Sequence, residues 1–159
     1  RNKFLRTPVF HSKENEPLGT GGALKLALDH VKTPKCLIIN GDTYVTFNTS
    51  FLSAKNNFIV THKSNPPHRY NAFALVEDNI TKFLPVGKGN IINAGVYCFM
   101  TDQLRNIVKN HKIRCSLEND ILPDIFKTLD VKAVESDGFI DIGVPEDYLK
   151  AQSMVIFNA

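Results

Sequence analysis

An α/β fold built on a layered sheet is what this sequence predicts, and three observations carry the prediction. Segments of strand pattern alternate with segments of helical pattern along most of the 159 residues. The run Lys35-Cys-Leu-Ile-Ile-Asn40 is apolar and of strand length, as for a strand buried on both faces of a parallel sheet. Gly19-Thr-Gly-Gly22 opens a helical stretch, an arrangement that lets backbone approach a ligand closely at a helix start.

The elements follow in order. Thr7 to His11 reads as a short strand, and Ser12 to Leu18 as a polar loop. A helix then runs from about Gly21 to His30, with Leu24, Leu28 and Val31 on one face. After the apolar run at 35–40, Ser50 is placed to cap a short helix, and Asn57 to His62 forms the next strand. Asn71–Val76 and Ile80–Phe83 flank Glu77-Asp-Asn79, a hairpin turn. Ile91–Met100 is a strand, and Thr101 is positioned to cap a helix over Asp102–Asn110. Ser116 begins another helical stretch in which Pro123 forces either a kink or a start. Two strands, Val131–Val134 and Gly138–Ile142, lead to a last helix from Pro145, a residue suited to a first helical turn. No repeat and no linker interrupts the chain, so residues 1–159 are expected to form a single domain.

Composition narrows the class. The chain is 43% hydrophobic and 22% charged with a formal charge of +3, and its lysines and arginines are scattered. No basic stripe marks a nucleic-acid surface, whereas small anionic substrates suit the balance. Cys36, Cys98 and Cys115 lie far apart without a CxxC pair, which argues against a disulfide framework or structural zinc and for a reducing, cytoplasmic compartment. No apolar run approaches the roughly 18 residues that cross a membrane. The chain opens on Arg1 with no signal-peptide pattern, as a processed, truncated or incompletely recorded chain would.

Four motifs carry candidate chemistry. Leu18-Gly-Thr-Gly-Gly-Ala-Leu24 is either a ligand-contacting helix start or a simple turn; it is not the dinucleotide fingerprint, whose last glycine would fall at Leu24. Asn40-Gly-Asp42 follows a buried strand at the place where open α/β sheets bind ligands, and a carboxylate there is suited to Mg²⁺ on a phosphate. The alternative is a hairpin turn with Asp42 solvated. Asp141 lies within an apolar strand, where an uncompensated carboxylate is costly. A metal shared with Asp42 would compensate it, and so would a solvated strand face. Asn93-Ala-Gly95 leaves room above its strand for a bulky polar ligand, or for close strand–helix contact.

Taken in this order, Glu14-Asn-Glu-Pro-Leu-Gly-Thr-Gly-Gly-Ala23, Asn40-Gly-Asp-Thr43, Asn93-Ala-Gly-Val-Tyr97, Ser116-Leu-Glu118 and Phe139-Ile-Asp-Ile-Gly-Val-Pro-Glu-Asp-Tyr148 resemble the sugar-1-phosphate nucleotidyltransferases. The resemblance spans nearly the whole chain and is greatest to the short guanylyltransferases for D-glycero-D-manno-heptose 1-phosphate and mannose 1-phosphate. It implies a Rossmann-like layered sheet of the nucleotide-diphospho-sugar transferase type, lacking its first βα units in this chain. It implies transfer of a nucleotidyl group from a nucleoside triphosphate, GTP by preference, to a sugar 1-phosphate. Glu14, Gly19, Gly21 and Gly22 would meet the nucleotide. Asp42 and Asp141 would hold Mg²⁺, and Asn93, Gly95 and Glu118 would meet the sugar. The partners are then the two substrates, without nucleic acid or membrane, and a homo-oligomer remains open.

This sequence departs from the family in three places. The glycine-rich pyrophosphate loop belongs before the first strand and is missing, so residues 1–159 alone are expected not to turn over. Asn71 follows Tyr70 where a glycine is usual, and Leu84-Pro-Val-Gly-Lys-Gly-Asn90 replaces a glutamate–lysine pair. Lys88 either stands in for the sugar-phosphate lysine or is a loop lysine. Two other classes compete: a catalytically silent relative that binds a nucleotide sugar, and a glycosyltransferase of similar fold, which would normally carry an Asp-x-Asp strand end.

Overall fold

The computed structural model describes residues 9–64 and 70–156. Its strands are β1 (Lys35–Ile39), β2 (Thr43–Phe47), β3 (Asn57–Lys63), β4 (Ala72–Val76), β5 (Asn79–Leu84), β6 (Ile91–Met100) and β7 (Val131–Asp141). The helices are α1 (Gly19–Leu28), α2 (Thr101–Val108), α3 (Leu122–Thr128) and α4 (Pro145–Ile156), with a 3₁₀ turn at Thr49–Ser53 and a π-helical turn at Leu117–Ile121.

The strands form one mixed sheet in the order β1-β6-β3-β7-β5-β4, with β2 paired to the far half of β7. Alternation along the two central strands sorts their side chains between two cores, because successive strand residues point to opposite faces. Ile59 of β3 and Tyr97 and Phe99 of β6 face the helices, packing with Leu24, Leu28, Leu104, Val108, Leu122 and Ile125. Phe58, Val60, Val96 and Cys98 face the other way, against Val45, Phe47 and Phe139 from the β2–β7 ladder. These central strands are buried on both faces, which is why β3 and β6 read as nearly continuous apolar runs.

The run at 35–40 behaves differently from its expectation. Among the described residues β1 pairs with β6 alone, and antiparallel, so it stands at an edge of the described sheet. Leu37 is 41% exposed and Ile39 58%. Its apolarity comes from one covered face, where Cys36 and Ile38 pack on the helix-side core. Parallel pairing is confined to β3 and β7 among the described strands.

Five local features also differ from expectation. Val9–His11 has no regular structure, and Thr7 and Pro8 lie outside the described residues. Thr43–Phe47 is a strand with no counterpart in the sequence reading. The two strands expected at 131–134 and 138–142 are one, because β7 pairs parallel to β3 through Glu135 and antiparallel to β2 from Ser136 onward. Two different neighbours thus support one continuous strand. Met100, not Thr101, takes the cap position of α2, with Thr101 already buried in the first turn. Likewise Asn48 rather than Ser50 caps the 3₁₀ turn, accepting from the Ser50 N–H. Pro123 resolves as a start: it occupies the first turn of α3, where its missing N–H costs nothing.

Candidate active site

Asp42 and Asp141 are distant in sequence and adjacent in the fold. β2 runs antiparallel to β7 so that Thr43 lies opposite Asp141, and the Ile142 N–H donates to the Asp42 carbonyl at 2.9 Å. Both carboxylates line one cavity of about 220 Å³, together with Asn40, Asn93 and Gly95 from the β1–β6 side and Tyr70, Asn71 and Phe139 from the other. A larger cavity of about 710 Å³ between α1 and β1 reaches Ser12 and Thr20 and shares Asn40 and Asp42 with the first. Asp42 therefore stands where the two cavities meet.

The smaller cavity has an aromatic wall. Phe139 stacks on His62 at 5.3 Å between ring centres and meets Tyr70 edge-on at 5.7 Å. His62 Nδ1 lies 2.9 Å from the buried Ser136 hydroxyl.

Gly95 sits in a β-bulge of β6. Val60 pairs with Val96 while the next residue, Thr61, pairs with Asn93, so Ala94 and Gly95 are extra. Gly95 has φ +74°, and a Cβ there would come within 2.9–3.0 Å of the Asn40 side chain. Its backbone ties both ways: its N–H donates to Asn93 Oδ1 at 3.1 Å, and its carbonyl accepts from the Asn40 N–H at 2.8 Å.

Beyond the bulge a polar chain crosses the helix-side core. Asn93 Nδ2 donates to the Tyr97 hydroxyl at 2.6 Å, and that hydroxyl reaches Glu118 Oε1 at 3.5 Å. Glu118 Oε2 accepts from Thr20 Oγ1 at 2.9 Å and Ser116 Oγ at 3.2 Å, and Thr20 Oγ1 accepts from the Leu117 N–H at 2.8 Å. Burial pushes the Tyr97 phenol well above its ordinary pKa, and the charges of Glu118 and Asp42 push the same way.

The glycine loop is placed by packing. Gly21 and Gly22 are buried, and both N–H groups point to the Cys115 carbonyl, at 2.9 and 3.3 Å. A Cβ on Gly22 would lie 2.2 Å from the Ile113 carbonyl oxygen, and one on Gly21 would lie 2.7 Å from Cys115 Sγ. These two glycines let α1 sit directly on the 113–115 segment, while Gly19, at φ +78°, and Thr20 stay exposed at the helix start. Glu14 folds back on the same loop, accepting from the Leu18 N–H at 2.8 Å.

The donor set fits Mg²⁺. It offers two carboxylates and side-chain amide oxygens, with no sulfur, and among the described residues no cluster of three or more His, Cys, Asp or Glu side chains forms. Magnesium is usually held by one or two carboxylates, with phosphates and water completing its shell. The described lining of the smaller cavity also carries no Lys or Arg, so two carboxylates would repel a polyanion unless a cation lay between them.

The cavity thus gathers Asp42, Asp141, Asn93 and Gly95, and the Tyr97 hydroxyl links Glu118 to them. Glu14, Gly19, Gly21 and Gly22 group at the start of α1 around Thr20, which lines the larger cavity, but none of the four lines it. Lys88 is not brought in: it is exposed on the turn closed by its own N–H to the Pro85 carbonyl at 2.9 Å. The sequence reading passed over Thr20 and Tyr97. Thr20 was visible inside the glycine motif as its one hydroxyl. Tyr97 was foreshadowed too, since a tyrosine in a buried strand needs a partner for its hydroxyl and a nearby glycine signals a bulge.

Comparison with known proteins agrees with this architecture. A family model described as Nucleotidyl transferase matches residues 6–156. D-glycero-alpha-D-manno-heptose 1-phosphate guanylyltransferase of Campylobacter jejuni is 33% identical over 154 residues, covering 93% of this chain and 68% of the relative. The protein of the same name from Aneurinibacillus thermoaerophilus is 33% identical over 161 residues, covering 95% of this chain and 69% of the relative. The crystal structure of HddC from Yersinia pseudotuberculosis complexed with GMP-PN superposes with a TM-score of 0.74 at 32% identity, covering 89% of this chain and 64% of that one. The chain thus spans about two thirds of the length of these relatives. With the family model matched over nearly all of its length and the mixed sheet shared with a solved relative, this chain belongs to the nucleotidyl transferase family, with the nucleotide-diphospho-sugar transferase fold.

Proposed function

We propose that this protein transfers a nucleotidyl group, GMP from GTP, to a sugar 1-phosphate, giving a nucleoside diphosphate sugar and pyrophosphate. The observation that carries the reading is Asp42, which lines both cavities and lies beside Asp141 across the β2–β7 ladder. A nucleotide entering by the α1 side and a sugar phosphate entering by the Asn93 side would meet there. The names of the two heptose 1-phosphate guanylyltransferases and the guanine nucleotide in the HddC crystal support guanine and a sugar phosphate.

The chemistry asks little covalent help from the chain. A phosphate oxygen of the sugar 1-phosphate is the nucleophile; it bonds to the α-phosphorus as the bond to the pyrophosphate oxygen breaks. Alignment and charge stabilisation then supply the rate. Asp42 and Asp141 would hold Mg²⁺, whose charge neutralises the triphosphate and the departing pyrophosphate. Glu14 would accept from guanine N1–H and N2–H₂, with Gly19 and Thr20 alongside. Gly21 and Gly22 contribute by seating α1 close enough for that loop to reach. Asn93, Gly95 and Glu118 would take the sugar hydroxyls, and the Phe139–Tyr70 wall would pack on the sugar's apolar edge and keep water from the reacting phosphate.

Pyrophosphate release from GTP with heptose or mannose 1-phosphate tests this in a polypeptide that carries the glycine-rich pyrophosphate loop as well as residues 1–159, which alone are expected not to turn over. Release that needs magnesium and falls by roughly a hundredfold or more in Asp42→Asn and Asp141→Asn is the expected result. Release indifferent to both changes would overturn it. Binding of a nucleotide sugar without any turnover would point instead to a silent relative.

A further inference from the structure

The polar chain through the helix-side core assigns a task to Tyr97. Its ring is 0% exposed, between Ile59 and Ile38 on the neighbouring strands. A phenylalanine would fill that apolar space equally well, so the hydroxyl needs its own explanation. The bulge supplies the geometry. Asn93 and Tyr97 are four residues apart in β6, yet their partners in β3, Thr61 and Ile59, are two apart. Both side chains therefore share a face at a spacing of roughly 7 Å, which a tyrosine side chain spans.

The hydrogen bonds then have one consistent direction. Asn93 Oδ1 accepts from the Gly95 N–H, so its amide nitrogen must face Tyr97 and donate to the phenol oxygen. The phenol proton is left to point at Glu118 Oε1. Glu118 Oε2 already takes Thr20 and Ser116. The Gly95 N–H thus sets the flip of the Asn93 amide, while the Tyr97 hydroxyl holds its Nδ2 in place and steadies the Glu118 carboxylate. What remains for a ligand is one N–H of Asn93 and one side of Glu118 Oε1, a fixed donor–acceptor pair.

We propose that Tyr97 is a positioning residue for the sugar half of the site, fixing the donor–acceptor pattern that Asn93 and Glu118 present to sugar hydroxyls. This deepens the transfer reading above and rests on it. Tyr97 touches neither substrate and acts through its two neighbours. Thr20 ties the same carboxylate to the glycine loop from the nucleotide side.

Tyr97→Phe is the test. KM for the sugar 1-phosphate should rise about tenfold while KM for GTP stays within about twofold, since only the sugar-side pair loses its anchor. In the double variant Tyr97→Phe/Glu118→Gln the two effects should be less than additive, as for residues in one network. A rise of both KM values together, or simple additivity with Glu118→Gln, would reduce Tyr97 to a core residue and overturn the proposal. A second measurement needs no turnover. In the unsubstituted protein the Asn93 side-chain amide proton bonded to the Tyr97 hydroxyl should exchange slowly with solvent by NMR, and in Tyr97→Phe it should exchange fast. Fast exchange in the unsubstituted protein, or unchanged exchange in the variant, would overturn the proposal even if the variant were too unstable for kinetics. If an unsubstituted polypeptide that also carries the glycine-rich pyrophosphate loop released no pyrophosphate, the transfer reading would fail, and the exchange measurement would still decide whether Tyr97 holds Asn93.

Discussion

Gly95 shows how much one backbone conformation contributes to the site. At φ +74° an L side chain is strained, and here a Cβ would also press on Asn40, which sits at the meeting point of the two cavities. Gly95→Ala is expected to lower stability by about 1–3 kcal/mol and to displace Asn40, with a fall in melting temperature as the measurement. An alanine variant as stable as the unsubstituted protein would mean the bulge relaxes without strain. Asn93, Gly95 and Asp42 were legible as single residues because glycine, amide and carboxylate types announce themselves in apolar strands. For Tyr97 only the need of a partner was legible; which partners it takes is decided once the bulge brings its hydroxyl to Asn93 and Glu118.

Helix α1 is a case where the motif was visible and its physical cause was not. Three glycines in Gly19–Gly22 suggest ligand contact, yet a Cβ on any of the three would press on residues 113–115. The obstacles differ in kind. A Cβ on Gly22 would lie 2.2 Å from the Ile113 carbonyl oxygen, which cannot move without the backbone, whereas one on Gly21 would first meet the ends of the Cys115 and Ile121 side chains, at 2.7 and 2.8 Å, with the Cys115 carbonyl oxygen at 3.0 Å. Gly22→Ala should therefore be the more destabilising of the two, by a margin of roughly 1 kcal/mol or more in chemical unfolding. Equal losses would contradict the packing account. Helix α3 offers a pH test. The hydrogen bond and charge of Lys127 hold the Asp124 carboxyl below its ordinary value of about 3.8, with His111 adding to the effect. A depressed folded value means the contribution is present above the ordinary carboxylate value and is lost as pH falls through the lower one. Asp124→Asn should remove that part of the acid dependence of unfolding and lower stability near neutral pH only slightly, because the half-exposed pair is screened by solvent.

Across the whole molecule, stability rests on two cores separated by β3 and β6. Leu104, 0% exposed, joins α2 to the helix-side core, and Leu104→Ala is expected to cost about 2–5 kcal/mol. Leu37, 41% exposed on the edge strand β1, should cost under about 1 kcal/mol on the same change. Thermal unfolding of the two variants compares them directly; a Leu37 loss as large as that of Leu104 would show β1 to be covered. The sequence favoured that second picture, since an apolar strand looks alike whether one face is buried or both. The same limit hid the single β7, whose halves are supported by different neighbours, and β2, whose mixed Thr-Tyr-Val-Thr-Phe pattern gains its place only by pairing with Phe139–Asp141.

Local pattern by itself determined the α/β class, most elements, the family resemblance and the residue types of the site. Each of those depends on a neighbourhood of a few residues, where periodicity, capping and turn chemistry are written directly. Only the tertiary structure decided which strands stand at the edge, that Asp42 and Asp141 meet across a ladder, that Lys88 stays outside, and that Tyr97 joins Asn93 to Glu118. Those facts depend on strand register and on a two-residue bulge, and register is a relation between segments that neither segment carries alone.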